Sequence, residues 1–246
     1  MAVVAVLGTV GVYAWFTATR PAALGLPLLQ VRTPAPSPGV SDRLAATCRL
    51  PAIPSATPSA GLSGLWVIQP GSEVGYRAHE KFVQLPSPHD AVARTDRVRG
   101  WLLVAGGETA VQIQTGCVAV ELASLTSIDK LPGFDVSSRD YAVRGLLSTD
   151  EFPYAVFQPY PMSISADPSS RIPVHVQISG ALELSGKSNP AQFGLDVRVQ
   201  DNQVLAAGSA TVDIKAFGVE VSRGPQGFIS VDSHFILEIS LVLLRV

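Results

Sequence analysis

The alternation of apolar and polar residues is the feature that most limits how this chain can fold. From residue 65 onward the sequence repeats with a period of two, most clearly at 174–184 and at 235–243. Side chains on a β-strand point alternately to its two faces, so this pattern indicates strands with one buried face and one face in water. Turn signals rich in Gly, Pro, Asn and Asp separate the segments, for example at 185–190 and at 224–227. Many such strands in one domain predict a closed antiparallel barrel or a β-sandwich.

The longest interruption of this pattern is the stretch 135–157. It contains Arg139 and Asp140, followed by apolar residues at helical spacing, and it ends at Phe152 and Pro153 before strand-like sequence returns. We therefore predict an all-β antiparallel barrel with one short helical crossover.

The side chains that we expect to point into this barrel are uniformly apolar. A barrel of about eight strands has room for one small ligand, and a ligand among these side chains would have to be apolar. The same pattern also fits an interior that side chains fill completely. The alternation alone does not separate a binding cavity from a filled core.

The N-terminal residues 1–19 contain no charged side chain. A helix of that length rises about 1.5 Å per residue and reaches roughly the 30 Å thickness of the hydrocarbon core. We expect residues 1–20 to form a single transmembrane anchor or an uncleaved signal. A cleaved signal peptide and a buried helix are the alternatives, and the lack of a convincing cleavage site after the apolar run favours the anchor.

Residues 21–63 are rich in Pro, Ser and Ala and predict a linker. Proline-rich segments of this kind form extended spacers with no face to bury, so the barrel domain would cover residues 64–246. Cys48 lies in the linker, and Cys117 lies on the outward side of its strand. If both residues lie outside the membrane, where disulfides persist, they are expected to pair. Two free thiols are the alternative.

Composition and motifs argue against several classes of function. The net charge of −2 offers no electrostatic reason to bind nucleic acid. None of the four histidines lies at metal-ligand spacing from another ligand, and His175 and His234 fall on the polar faces of their strands, where we expect them to be exposed. Motifs for a serine nucleophile, a phosphate loop or a redox cysteine pair are absent from the sequence. We therefore expect a protein that is not an enzyme and that uses no metal or cofactor; Glu80 is the only inward polar candidate for a reaction.

Several motifs, in this order along the chain, resemble those of the YceI-like family. Residues 64–68 and 72–76 are similar to the family's Trp-x-Ile-Asp start and its Ser-x-Val-x-Phe strand, and residues 98–100 to its Val-x-Gly. Residues 139–157 resemble its Arg-Asp and Asp-x-Phe-Pro-x-x-x-Phe run, and residues 180–190 its Gly-x-Leu-x-x-x-Gly hairpin that closes with Pro.

This chain departs from the family at Gln69, where Asp is usual, and at Gly71 and Glu80, where many members have His. The resemblance covers about residues 65–245. It implies a lipocalin-like barrel that holds a polyisoprenoid or similar lipid in its lumen, in an exported and often anchored protein.

Together these observations predict a barrel outside the cytoplasm, attached to the cell membrane by one transmembrane helix, that binds an isoprenoid-type lipid for carriage or sequestration. The alternative is a non-catalytic structural or interaction module of the cell envelope with a side-chain-filled core. The expected ligand-binding residues share the inward parity of their strands, except Phe134, which lies in the approach to the crossover: Tyr76, Leu102, Val120, Phe134, Phe157, Ile178, Leu195, Val212 and Leu237.

Arg139 and Asp140 are the most prominent polar pair near these residues. One interpretation is that one of them contacts a lipid head group at the mouth of the barrel. The other is that Asp140 stabilises the start of a helix while Arg139 binds a loop carbonyl or a carboxylate.

Overall fold

The computed structural model of the chain describes residues 19–27, 42–51, 61–83, 89–106, 110–131, 135–165, 172–200, 202–221 and 229–246. Its strands are β1 (Gly64–Ile68), β2 (Glu73–Phe82), β3 (His89–Thr95), β4 (Val98–Gly106), β5 (Ala110–Glu121), β6 (Thr126–Ser127), β7 (Tyr154–Pro159), β8 (Met162–Ser165), β9 (Val174–Leu184), β10 (Lys187–Gln200), β11 (Gln203–Asp213), β12 (Ile229–Val231) and β13 (His234–Arg245). Helix α1 (Asp42–Thr47) precedes the strands, α2 (Ser137–Leu146) lies between β6 and β7, and short 3₁₀ helices (Leu122–Ser124 and Ile214–Phe217) follow β5 and β11.

Eight of these strands close into an antiparallel barrel. Their order around the wall is β1-β4-β5-β7-β9-β10-β11-β13, and β13 pairs back onto β1. Closure leaves this wall without a free edge. It confirms the prediction of an antiparallel β-barrel, and the predicted crossover contains α2.

Strand β13 changes its partner along its length. Leu243 is paired with Ile68 of β1, whereas Leu237 is paired with Tyr76 of β2. Strand β2 then pairs with β3, and β3 with β6, which lies beside α2. We call the end of the barrel near α2 the helix end, and the opposite end, where β10 and β13 finish, the far end.

The two faces of the wall follow the alternation that the sequence shows. The side chains of His175 and His234 are about 61% and 62% exposed, which confirms the prediction that they lie on the outside. Inward residues of the same strands, such as Ile178 and Leu182, are buried in the main hydrophobic cluster.

Part of the outer wall is covered by α1. Leu44 of this helix is fully buried against Trp101 of β4, and the Trp101 indole N–H donates a hydrogen bond to the Arg49 carbonyl at 3.1 Å. Cys48 and Cys117 form a disulfide with their Cα atoms 5.5 Å apart, a normal separation for such a bond.

A second segment, residues 19–27, lies against the outer faces of β2, β3 and β13, where the Ser240 hydroxyl donates to the Gly25 carbonyl at 2.9 Å. The described parts of the predicted linker therefore differ from an extended spacer with nothing to bury, because hydrogen bonds and apolar contacts hold them on the wall. No helix within the described ranges is both long and apolar enough to cross a bilayer. The predicted anchor, apart from Thr19 and Arg20, lies outside those ranges.

Candidate functional site

A cavity of about 280 Å³ lies inside the barrel. This volume is close to the lower end of the range for small-molecule sites, roughly 300–1,000 Å³. Its lining comes from all eight strands of the closed wall and from α2, and it consists mainly of Val, Leu, Ile and Phe side chains. Such a lining can bind a hydrocarbon by excluding water but offers little to a polar ligand.

The cavity is long. On β9 both Val174, at the far end, and Leu184, at the helix end, line it. Ten residue steps at about 3.3 Å, on a strand tilted by about 40°, correspond to roughly 25 Å along the barrel axis. A modest volume spread over this length gives a narrow cavity that suits one extended chain.

Among the residues that the structure describes, the two ends of the cavity differ in enclosure. At the helix end, Val143, Leu146 and Leu147 of the α2 region project toward the cavity, and Leu122 and Leu147 are buried. At the far end, lining residues such as Val104, Val174 and Val199 are only partly buried. The connections at 107–109, 166–171 and 201 at this end fall outside the described residues.

Most of the predicted ligand-binding residues line this cavity: Tyr76, Leu102, Val120, Phe157, Ile178, Leu195 and Leu237. Val212 is buried in the same hydrophobic cluster but is not part of the lining. Phe134 lies outside the described residues. Arg139 and Asp140 are also absent from the lining and have other partners.

Arg139 is buried at the helix end between two carboxylates. Its Nη1 lies 2.7 Å and 2.9 Å from the two Asp129 oxygens, and its Nη2 lies 2.9 Å from Glu80 Oε2. His89 Nε2 lies 2.7 Å from the same Asp129 carboxylate. We call Arg139, Glu80, Asp129 and His89 the Arg139 cluster. It fastens α2 to β2, to β3 and to the segment after β6.

Asp140 holds the same helix to β6. It lies in the first turn of α2, and its carboxylate accepts hydrogen bonds from the Ser127 N–H at 2.9 Å and from the Ser127 hydroxyl at 2.6 Å. A negative charge at this position is also favourable for the helix dipole.

The pKa values of the two carboxylates in the Arg139 cluster, Glu80 and Asp129, are shifted in opposite directions. Burial raises the pKa of Glu80, and the Arg139 guanidinium opposes this shift only in part. Burial would also raise the pKa of Asp129, but hydrogen bonds from His89, from the Val92 N–H and from Arg139 lower it to about 2. Asp129 is therefore held ionised at neutral pH, whereas ionised Glu80 costs folding free energy.

Tyr76 connects the cluster to the cavity. Its ring lines the cavity and lies 5.4 Å from the Phe235 ring, centroid to centroid. Burial raises the pKa of the Tyr76 hydroxyl above its usual range, so this group stays protonated. The charges of Arg139, Glu80 and Asp129 act on this hydroxyl, so Tyr76 borders both the cavity and the cluster.

The sequence did not single out His89 or Asp129, and it marked Glu80 as a weak candidate for a reaction and as a departure from the His that is common in the family. These residues are 40 and more positions apart from some of their partners, and no local motif marks such a cluster. In the structure Glu80 is engaged by Arg139. No group of three or more metal-ligating side chains assembles among the residues that the structure describes.

Comparison with known proteins gives the following matches. The sequence family described as YceI-like domain matches residues 67–243. The structure resembles that of a polyisoprenoid binding domain from Saccharophagus degradans implicated in plant cell wall breakdown, with a TM-score of 0.52 and 13% sequence identity over 75% of this chain and 99% of that chain. BcnA of Burkholderia cenocepacia aligns at 14% identity over 70% of this chain and 95% of that chain, with a TM-score of 0.48. No curated protein matches the chain. At the identity of the first structure, the likeness shows the fold alone.

Proposed function

The chain belongs to the YceI-like family, as its motifs predicted, and we propose that its barrel binds the hydrocarbon chain of a polyisoprenoid-type lipid for carriage or sequestration. The observation that carries this proposal is the long, narrow and apolar cavity of about 280 Å³. The structurally similar domain from Saccharophagus degradans is described as polyisoprenoid binding. Domains of this family are typically non-catalytic.

The chemistry of the lining supports a lipid rather than a polar ligand. Among the described lining residues Glu238 carries the one carboxylate. Its Oε1 lies 3.0 Å from Arg77 Nε and its Oε2 lies 3.6 Å from Arg94 Nη2, so this charge already has cationic partners. Burial of apolar surface contributes roughly 25 cal/mol per Å², so a chain enclosed over this length binds without a charged anchor.

The alternative is a structural or interaction module of the cell envelope whose side chains fill the interior. That function requires no space for a ligand. The cavity inside the barrel favours lipid binding over this alternative.

Lipid content of the purified protein is the direct test. We expect extraction with organic solvent, followed by mass spectrometry, to release an isoprenoid-type lipid, or the lipid-free protein to take up a fluorescent polyprenyl ligand. A protein that is lipid-free and also fails to take up the ligand would contradict the proposal.

A pair of matched variants tests whether the ligand binds in the cavity. Val120→Phe adds volume at the lining, whereas Val246→Phe adds the same volume at an exposed position. We expect Val120→Phe to weaken uptake by roughly tenfold, equivalent to about 1.4 kcal/mol, and Val246→Phe to leave it unchanged. Equal uptake by both folded variants would place the ligand elsewhere.

We also propose that residues 1–20 attach the protein to the cell membrane with the barrel outside the cytoplasm. The uncharged run at residues 1–19 supports attachment, and the Cys48–Cys117 disulfide fits an oxidising compartment. Resistance of the full chain to alkaline extraction from membranes, together with cleavage by protease added from outside, is the expected result. Release at alkaline pH would contradict attachment.

A further inference from the structure

The N-terminal segment 19–27 is fixed on the barrel wall by three basic side chains and a serine. Arg20 Nε lies 3.9 Å from Asp90 Oδ2, Arg77 donates to the Pro21 carbonyl at 3.0 Å, and Arg94 donates to the Ala22 carbonyl. Further along, the Gly25 carbonyl accepts from Ser240. This segment therefore follows immediately after the uncharged run and is already docked.

The direction of the segment follows from the strand register. Asp90 is paired with His79, near the helix end of β2, and Ser240 is paired with Glu73, where β2 begins. His79 and Glu73 are separated by six residues of an extended strand, roughly 20 Å. Segment 19–27 thus runs from the helix end toward the far end, and the uncharged run joins the chain at the helix end.

Exposed apolar and aromatic side chains occur at the same end. Tyr141, on the outer face of α2, is 80% exposed, Val83 after β2 is 72% exposed, and Ile128 beside α2 is 41% exposed. Tyrosine prefers the boundary between hydrocarbon and water, where its ring is buried and its hydroxyl stays hydrated.

We propose that the helix end of the barrel lies against the surface of a lipid bilayer, with Tyr141, Val83 and Ile128 as the contacting side chains, and that the far end points away from it. This rests on the proposed membrane attachment, because the uncharged run at residues 1–18 enters the bilayer beside these side chains. No spacer separates the run from the docked segment, so the barrel is held at the surface and not at a distance from it.

The charges at this end predict how the contact depends on lipid composition. Lys81, Lys130 and Arg144 are exposed there, and so are Asp135, Asp150 and Glu151. Charges of both signs leave little net attraction to anionic lipid. We therefore expect the contact to form on phosphatidylcholine alone and to be insensitive to salt.

The test uses the full chain reconstituted into phosphatidylcholine vesicles. One preparation contains a dibrominated phosphatidylcholine that quenches tryptophan, and the other does not. Three variants each add one tryptophan to the three already present. Tyr141→Trp reports the helix end, Ile172→Trp the far end, and Tyr160→Trp is the matched tyrosine control on the side wall. The emission of the unchanged chain is subtracted from that of each variant.

We expect the brominated lipid to quench the added emission of Tyr141→Trp, because Trp at this position would lie in the membrane interface, and to leave that of the other two variants unchanged. Quenching of Ile172→Trp in place of Tyr141→Trp would mean that the far end faces the bilayer, and it would overturn the inference. Quenching of neither, in vesicles that retain the protein on flotation, would overturn it while leaving attachment intact. Loss of the protein from the vesicles would overturn both, and lipid extraction of the barrel tests the cavity independently.

Discussion

The apolar cavity and the Arg139 cluster meet at Tyr76 but depend on their side chains in different ways. Many lining residues contribute similar apolar surface to the cavity, and no single one supplies a specific bond. In the cluster, each charge has a named partner within hydrogen-bonding distance. Apolar lining therefore tolerates exchange among residues of similar volume, whereas loss of one member of a buried charged group leaves the others unpaired.

The largest effect expected from this comparison is that of Arg139→Met. The change leaves Asp129 and Glu80 buried without their cation, and breaking a buried ion pair typically costs about 3–5 kcal/mol. We expect urea denaturation at pH 7 to show a loss of this size in the free energy of unfolding. Arg144→Met, on the exposed face of the same helix, is the control and should change it by less than about 0.5 kcal/mol. Similar losses for the two variants would mean that the cluster contributes no specific stability.

A smaller effect is expected at the cavity wall. Leu195 faces space that is already present, so Leu195→Ala should lose about 2 kcal/mol, at the low end for such changes, because little new void forms. Leu44→Ala provides the matched comparison and should lose more, because Leu44 is fully buried in the patch under α1 and lines no cavity among the described residues. Equal losses at both positions, measured by the same denaturation, would show that the cavity wall is as tightly packed as the outer patch.

The smallest effect is expected for Glu80→Gln, and it depends on pH. Since burial raises the folded-state pKa of Glu80 above its ordinary value of 4.5, the ionised glutamate costs stability as pH rises through that folded pKa. The glutamine variant lacks this cost. We expect its free energy of unfolding, relative to that of the unchanged chain, to increase between pH 4 and pH 8. If the free energy of unfolding of the variant, relative to that of the unchanged chain, decreases as pH rises, the attraction of Arg139 outweighs burial at this carboxylate.

Asp129 determines how the folding stability of the same region decreases at acid pH. Its pKa is lowered from 3.8 to about 2 in the folded protein, so its stabilisation is present above pH 4 and is lost as pH falls toward 2. This loss should remain in Glu80→Gln, which keeps the Asp129 contacts.

Sequence patterns predicted the wall of the barrel and not the cluster that closes it. Alternation along β9 and β13 identified Ile178 and Leu237 as inward residues because a strand's faces are set by local parity. The contacts of Arg139 with Glu80 and Asp129 depend on how distant segments come together at the helix end, and parity carries no information about that. Glu80 has the inward parity but pairs with a cation from α2 instead of facing a ligand.

The segments before the barrel show the same limit. Their proline content predicted a spacer, but Leu44 and Cys48 of α1 pack against an apolar patch on the outside of β4 and β5. Alternation does not reveal that an outward face is apolar enough to receive another segment. Here Trp101, Cys117 and Ala119 form such a face.

The disulfide also determines how the barrel carries a mechanical load. Residues 49–116, which include β1 to β4, lie between the two bridged cysteines. Tension applied through the N-terminus passes from Cys48 across the sulfur bond to Cys117, in the middle of the wall, and the intervening strands carry none of it along their backbone. In the reduced chain, once residues 19–27 and α1 are pulled off the wall, the same tension next reaches β1, which is paired with β4 and β13, and we expect the barrel to open from its first strand.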